Sequence, residues 1–434
     1  MREPLRLQSP ALRRLQQDVR KRKRDALKPF WNRVASTGTP LVERREGYRR
    51  ELLLTFLWRG DPGTKRVALR SMAFGFQGLQ PELLRLPGTN VCYRSYPVPN
   101  DFRDAYLFAI DEPLTEGSFI PASFRPRKPG DFGWEGGMAL EKTWHLDPFN
   151  PEKTTWTPDD RFRNDPFNAR AATRSLVELP EAPRHTEVTS QRGVARGALR
   201  LYRFRSQILG DTRRIWIYLP AGFQPRMRDL HVAVVFDGFW YTHIIPTPTI
   251  LDNLVHENKV PPVVGVFVDS RRICTDRFRD MVFHPEPLGR FLVRELLPWV
   301  ERTLGIRCRP GRTALAGASG GGLSALRYAL EYPDHFRLVL SQSGSFWLPG
   351  DSPTEPGVLL REVMHQPQAR LRVYMEVGLW EGTGQVLANR HLRDVLRLKG
   401  YLVTYREFNG GHEFECWRQS LVDGLVDLFG TRPG

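Results

Sequence analysis

The chain has 434 residues, 41% hydrophobic and 26% charged, the make-up of a folded globular protein long enough for two domains and a short appendage. No stretch approaches the roughly twenty apolar residues of a membrane span, and the charged N-terminus MREPLRLQSPALRRLQQDVRKRKRD lacks the apolar segment of a secretory signal, so a cytoplasmic protein is predicted. The net charge of +16 favours a polyanionic partner, yet only nine of the 64 basic residues are lysine, and so broad an arginine bias is equally a matter of composition.

After Ser9-Pro10 the apolar residues Leu12, Leu15, Val19, Leu27, Phe30, Trp31 and Val34 fall at helical spacing and predict one helix over residues 10 to 34, broken by GTP at 38 to 40. The basic run Lys21 to Arg24 on it reads as a solvated face rather than a nucleic-acid contact. From about 45, short runs such as ELLLTFLWRG, KRVALRSMAF, NVCYRSYPV and DAYLFAI alternate with Asp, Gly and Pro clusters and predict a small β-sandwich. Residues 121 to 185, rich in Pro, Asp and Arg, predict a long surface linker. Beyond it RIWIYLP, HVAVVFD, PVVGVFVD, RTALAGA, FRLVLSQS, RVYMEVG and LVTYREF alternate with helical segments, the pattern of an α/β sheet covered on both faces. The expected organisation is a helical arm over 1–40, a β-sandwich with linker over 41–185, and an α/β domain over 186–434. Cys92, Cys274, Cys308 and Cys416 are scattered without a C-x-x-C pair and read as free thiols.

In the α/β region the strand RTALAG runs into G-A-S-G-G and then a helix, the context a nucleophile elbow requires. Small residues at 318 and 320 to 322 let strand and helix approach, so that Ser319 projects its hydroxyl above the sheet edge and the Gly320 amide points at an oxyanion. A serine hydroxyl is a weak nucleophile near neutrality and needs a base. His412, in the loop NGGHEFECW between the last strand and the last helix, stands where that base belongs. For the acid, Glu381 lies past the end of RVYMEVG and is preferred to Glu376 within the strand, with Asp394 in the following helix third. A second oxyanion donor is expected after HVAVVFD, at Gly238 or Phe239. The strand ends carry Trp240, Arg271, Arg272, Arg277, Trp347 and Trp380, groups that suit a flat, aromatic, anionic substrate.

FWNRVASTGTPLVE, LPGTNVCYRSYPVPNDFRDAYLF, DPFNP, YLPAGF, VVFDGFW, GASGGG, SQSGSFW and GGHEFECWR, in this order over nearly the whole chain, resemble the enterochelin esterase family. The resemblance implies an immunoglobulin-like β-sandwich ahead of an α/β-hydrolase domain, and a cytoplasmic enzyme that cleaves the serine trilactone of ferric tri-catecholate siderophores to release iron. It implies Ser319 as nucleophile, His412 as base and Glu381 as acid. The expected partner is a small-molecule ferric siderophore or another ester; no nucleic acid, membrane, metal or other cofactor is called for. The chain departs from the family at Gly320, where an aromatic residue often follows the nucleophile, and at Asp280 and His284 in RFRDMVFH. The alternative is the same triad acting on another macrolactone, a cyclic peptide product or a simple ester. Since the sandwich is expected to cover one side of the cleft, the hydrolase domain without it should still cleave a small aryl ester.

Overall fold

The computed structural model describes residues 7–21, 25–111, 144–157, 172–227, 229–270, 275–348, 357–366 and 368–430. Two helices, α1 (Pro10–Arg20) and α2 (Leu27–Thr37), replace the single one expected over residues 10 to 34. Asp25 between them has a left-handed backbone, φ 60°, which a continuous helix does not hold. The turn lets Leu12 and Leu15 of α1 and Trp31 and Val34 of α2 bury against one surface made by Leu57, Leu86 and Val91. A straight helix would carry one of those stripes past it. Residues 22–24 of the basic run lie outside the described residues.

The next region pairs β1 (Leu41–Arg44), β2 (Glu51–Arg59), β3 (Val67–Ser71), β4 (Leu84–Arg85), β5 (Val91–Pro99), β6 (Arg103–Ile110), β7 (Trp144–His145), β8 (Lys153–Trp156) and β9 (Ala172–Glu178). They form two antiparallel sheets, β1-β2-β5-β4 and β3-β6-β9-β8, with β7 on β6. Phe56 and Tyr96 from one sheet meet Tyr106 and Phe108 from the other in an aromatic core. The run KRVALRSMAF leaves β3 early, because Ser71 accepts the Phe74 amide at 3.2 Å and caps a short helix, α3 (Met72–Phe76). Part of the expected surface linker is sheet as well: β9 lies between β6 and β8. Its Arg174 and Ser175 are polar yet buried, which hides the strand's apolar alternation.

The second region is one sheet, with eight strands among the described residues, in the order β10-β11-β13-β12-β14-β15-β16-β17. The strands are β10 (Ala198–Ser206), β11 (Asp211–Leu219), β12 (His231–Phe236), β13 (Val263–Val268), β14 (Thr313–Ala318), β15 (Leu338–Gln342), β16 (Arg372–Gly378) and β17 (Leu402–Phe408). From β13 to β17 all pairs are parallel, so these strands end at one edge. All six residues of β13 and of β14 are buried, as an apolar run covered on both faces requires. Helices α4 (Thr247–His256) and α11 (Phe414–Phe429) bury Ile250, Leu254, Trp417 and Leu425 on one face. On the other lie α5 (Thr275–Phe278), α6 (Glu286–Phe291), α7 (Leu297–Leu304), α8 (Gly320–Glu331), α9 (Val358–His365) and α10 (Thr383–Leu398), with Phe291, Val300, Leu326 and Leu392 in the core. α8 crosses β14 where both are bare: a Cβ on Gly317 would stand 2.7 Å from the Gly321 carbonyl carbon. The architecture is an α/β hydrolase preceded by a β-sandwich. Among the described residues no helix is long and apolar enough to cross a membrane, and Cys92, Cys308 and Cys416 are free thiols; Cys274 lies outside those residues.

Candidate active site

Ser319 is the single residue between β14 and α8, with φ 58° and ψ −120°. A left-handed backbone on a residue with a side chain costs about 1–3 kcal/mol and persists only where its surroundings enforce it. Here they do. The Ser319 amide donates to the Gln342 carbonyl at 2.9 Å, and its own carbonyl accepts from Ser345 at 3.0 Å and Leu323 at 3.1 Å, which clamps the turn to β15 and α8. Asp237 after β12 (φ 56°) and Ser343 after β15 (φ 48°) are left-handed too, so three neighbouring strands of this edge close in the same way. The Ser319 hydroxyl pairs with the Ser345 hydroxyl at 3.1 Å.

Glu381 lies in the turn between β16 and α10, its side chain fully buried. One carboxylate oxygen accepts from the Ser343 hydroxyl at 2.6 Å and the Gly378 amide at 2.7 Å; the other meets His412 Nδ1 at 2.6 Å. Ser343 is held in turn by the Trp417 indole, which donates to it at 2.9 Å and stands edge-on to the His412 ring at 4.7 Å between centroids. Of the three acids weighed from the sequence, Glu381 is thus the one joined to the histidine. Glu376 points into the sheet interior, bonded to Gln342 at 3.0 Å, Tyr374 at 2.9 Å and Ser420, and burial pushes its carboxyl up to about 7. Asp394 pairs with Arg393 on the exposed side of α10.

Gly320 is the first residue of α8, where the backbone amide has no intrahelical acceptor. Of the two expected partners after β12, Phe239 has its amide directed at the Asp269 carboxylate, 3.4 Å away, which leaves Gly238 as the candidate. Arg277 does not stand at a substrate face: it is 4% exposed, grips both oxygens of Asp237 at 2.7 and 2.8 Å, and reaches the Ala318 carbonyl at 3.2 Å. It therefore braces the β12 turn against the elbow. Trp380 is also displaced from the expected role, because it packs edge-on against Phe74 and Phe102 of the sandwich, at 5.5 and 5.0 Å. Trp240 is half-buried beside Phe414 and beneath Arg277. Trp347, also half-buried, donates to Gln385 at 2.7 Å. Arg271 and Arg272 lie outside the described residues. Asp280, one of the departures from the family, is buried in ion pairs with Arg213 and Arg279. Sequence reasoning missed Ser343 and Ser345; both sit in SQSGSFW, a segment whose two further serines follow a strand ending at the elbow's level.

Two family patterns cover the chain: the one described as "Putative esterase" matches residues 206–428, and "Enterochelin esterase, N-terminal" matches residues 53–188. The iron(III) enterobactin esterase of Dickeya dadantii is 29% identical over 438 residues, covering 91% of each chain. The crystal structure of the enterobactin esterase from Shigella flexneri in the presence of enterobactin superposes with a TM-score of 0.69 at 28% identity, covering 92% of this chain and 97% of that one. The ferric enterobactin esterase of Salmonella typhimurium gives 0.73 at 27%, covering 92% and 98%.

Proposed function

Since the chain belongs to the enterochelin esterase family, we propose that it is a serine esterase that hydrolyses the trilactone ester bonds of a ferric, enterobactin-like catecholate siderophore, so that the iron can be released. The observation that carries this reading is the 2.6 Å contact between Glu381 and His412 Nδ1 on the sheet edge that also presents Ser319. An ionised carboxylate only accepts hydrogen bonds, so Nδ1 carries the ring proton and Nε2 keeps the lone pair a general base needs.

At rest the Ser319 hydroxyl leans on Ser345. Rotation about its Cα–Cβ bond turns it towards His412 as an ester carbonyl arrives. Nε2 takes the hydroxyl proton while Oγ bonds to the carbonyl carbon, and buried Glu381 stabilises the imidazolium. Charge then collects on the carbonyl oxygen, opposite the Gly320 amide with Gly238 as the second donor; removing one such donor typically costs about 10²–10³ in rate. The intermediate collapses by expelling the seryl oxygen of the adjoining lactone unit, which receives the proton from His412, and the ring opens. Water enters, gives a proton to the same base and attacks the acyl carbon; the bond to Ser319 Oγ then breaks and Oγ takes that proton from His412, which restores Ser319.

Ferric enterobactin incubated with the protein and followed by mass spectrometry tests the reading. Open-chain dihydroxybenzoyl-serine products are expected. An intact trilactone alongside hydrolysis of simple aryl esters would move the activity to another ester.

A further inference from the structure

The loop that carries His412 runs Asn409, Gly410, Gly411, His412, Glu413, and two successive glycines leave it little rigidity of its own. Within its own domain the Trp380 amide donates to the Gly410 carbonyl at 3.2 Å and Glu381 holds the ring, and the sandwich adds support on both sides of the histidine. Before it, the Arg103 amide donates to the Asn409 carbonyl at 3.0 Å, Arg103 pairs with Gly410 as a parallel bridge, and the Asn409 side chain donates to Asp101 at 2.8 Å. After it, Arg174 of β9 donates to Glu413 at 3.0 Å, both side chains almost wholly buried. Two residues on, Glu415 accepts from Thr154 at 2.7 Å and from the Trp156 indole at 3.1 Å. Beside the ring, Phe76 stands edge-on at 6.4 Å, and a Cβ on Gly411 would come within 3.0 Å of Ala73.

Arg174 has a particular place among these contacts. Its guanidinium lies 4.0 Å over the Trp156 ring and meets Glu413, which is itself surrounded by Asp104, Glu415 and His412. Asp104 is fully buried behind it with Ser71 bonded to one oxygen, and Arg418 pairs with Glu415 from the far side at 3.3 Å. Burial raises the carboxyls of Glu413 and Asp104 alike, so the ionised form of Glu413 depends on the Arg174 charge.

We propose that Arg174 is a positioning residue for the base: through Glu413 the sandwich fixes the backbone on which His412 sits, and the two domains form one catalytic unit for any ester, large or small. This rests on His412 being the base. It reverses the expectation that the hydrolase domain alone would keep its activity on small substrates.

The test uses the full chain, with Arg174→Gln and Arg174→Lys, on p-nitrophenyl acetate and on ferric enterobactin. A displacement of about 1 Å in a reacting group can cost roughly 100-fold. Arg174→Gln should lower kcat between about 10- and 100-fold on both esters with KM within about twofold, and Arg174→Lys, which keeps the charge, should restore part of it. The downfield Nδ1 proton resonance of His412 should broaden or shift in the Gln variant and return in the Lys variant. If Arg174→Gln does not fold, the Lys variant decides alone, since it should have reduced kcat at unchanged KM. An unchanged kcat in the folded variants, or a rise in KM confined to the siderophore, overturns the proposal while the esterase reading stands. A folded wild-type protein inert towards both esters overturns both.

Discussion

Ser319 and His412 leave the same edge of one sheet, yet they are held in different ways. The elbow is supported by its own domain: Gly317 against Gly321, the Gln342 and Ser345 backbone, and Arg277 clamped to Asp237. Those groups lie on or just past the neighbouring strands β12, β14 and β15 and on α8 and α5. The base loop has Glu381 and the Trp380 amide from its own domain, but it also hangs from Asp101, Arg103, Thr154, Trp156 and Arg174, more than two hundred residues away in sequence. The proposed nucleophile, whose support is local, leaves a readable local pattern. The proposed base, part of whose support is remote, leaves only a histidine after two glycines.

The largest effect is expected at the elbow itself. Ser319→Ala should lower hydrolysis of any ester at least about 10⁴-fold, with thermal melting little changed, since only a hydroxyl is removed. A folded variant keeping a few per cent of turnover would separate the elbow from the chemistry. Next, Glu381→Gln should cost roughly 10³–10⁴ in kcat, because the amide can donate to Nδ1 and favour the wrong tautomer. Steady-state rates on an aryl ester would measure this, and near-normal turnover would end its assignment as the acid.

On the elbow side, Arg277→Lys replaces a fork by a point charge that cannot hold both Asp237 oxygens and the Ala318 carbonyl together. A fall in kcat of about tenfold, with no change in the contact between the domains, would show that the elbow's support is separate from that of the base loop. Loss of both together would erase the distinction.

The smallest effect on turnover is expected at Glu376, which bears on stability instead. Glu376 is raised from 4.5 to about 7 by burial, so in the folded protein it keeps its proton over a range in which the unfolded chain has lost it. That contribution is whole below the unfolded value and is lost as pH rises through about 7, a change on the order of 3 kcal/mol. Denaturant unfolding between pH 5 and 8 should give a falling stability whose slope is smaller in Glu376→Gln, the remainder coming from the buried Glu413 and Asp104, with kcat nearly unchanged. An equal slope in both proteins would remove Glu376 as its source.

The parts legible in the sequence were those with continuous or periodic apolar runs and those with local chemistry. β12 to β16 read as buried strands, and strand-turn-helix order singles out Ser319, His412 and Glu381, the last two of which the fold joins. β9 was lost because Arg174 and Ser175 are buried by polar partners rather than by apolar ones. β10, an edge strand with Leu199 and Leu201 in solvent, lacks the apolar run that marked the others. Arg277, Trp380 and Phe239 were placed at the right strand ends, but position in the chain does not say which way a side chain or an amide points. In the fold two of them turn inward to brace the edge and Trp380 turns to the other domain.

The three left-handed residues that close β12, β14 and β15 bear on attempts to make this protein more heat-resistant. Replacing a left-handed residue by glycine is a common stabilising choice, since the conformation costs glycine little. Here each such exchange would delete a contact or a proposed role along with the strain. Asp237→Gly would take away the carboxylate that Arg277 grips, Ser343→Gly would take away a donor to Glu381 and the acceptor of Trp417, and Ser319→Gly would remove the proposed nucleophile. Thermostable variants should therefore come from the sandwich, the helical arm and the outer helices, while this edge of the sheet keeps its unfavourable backbone.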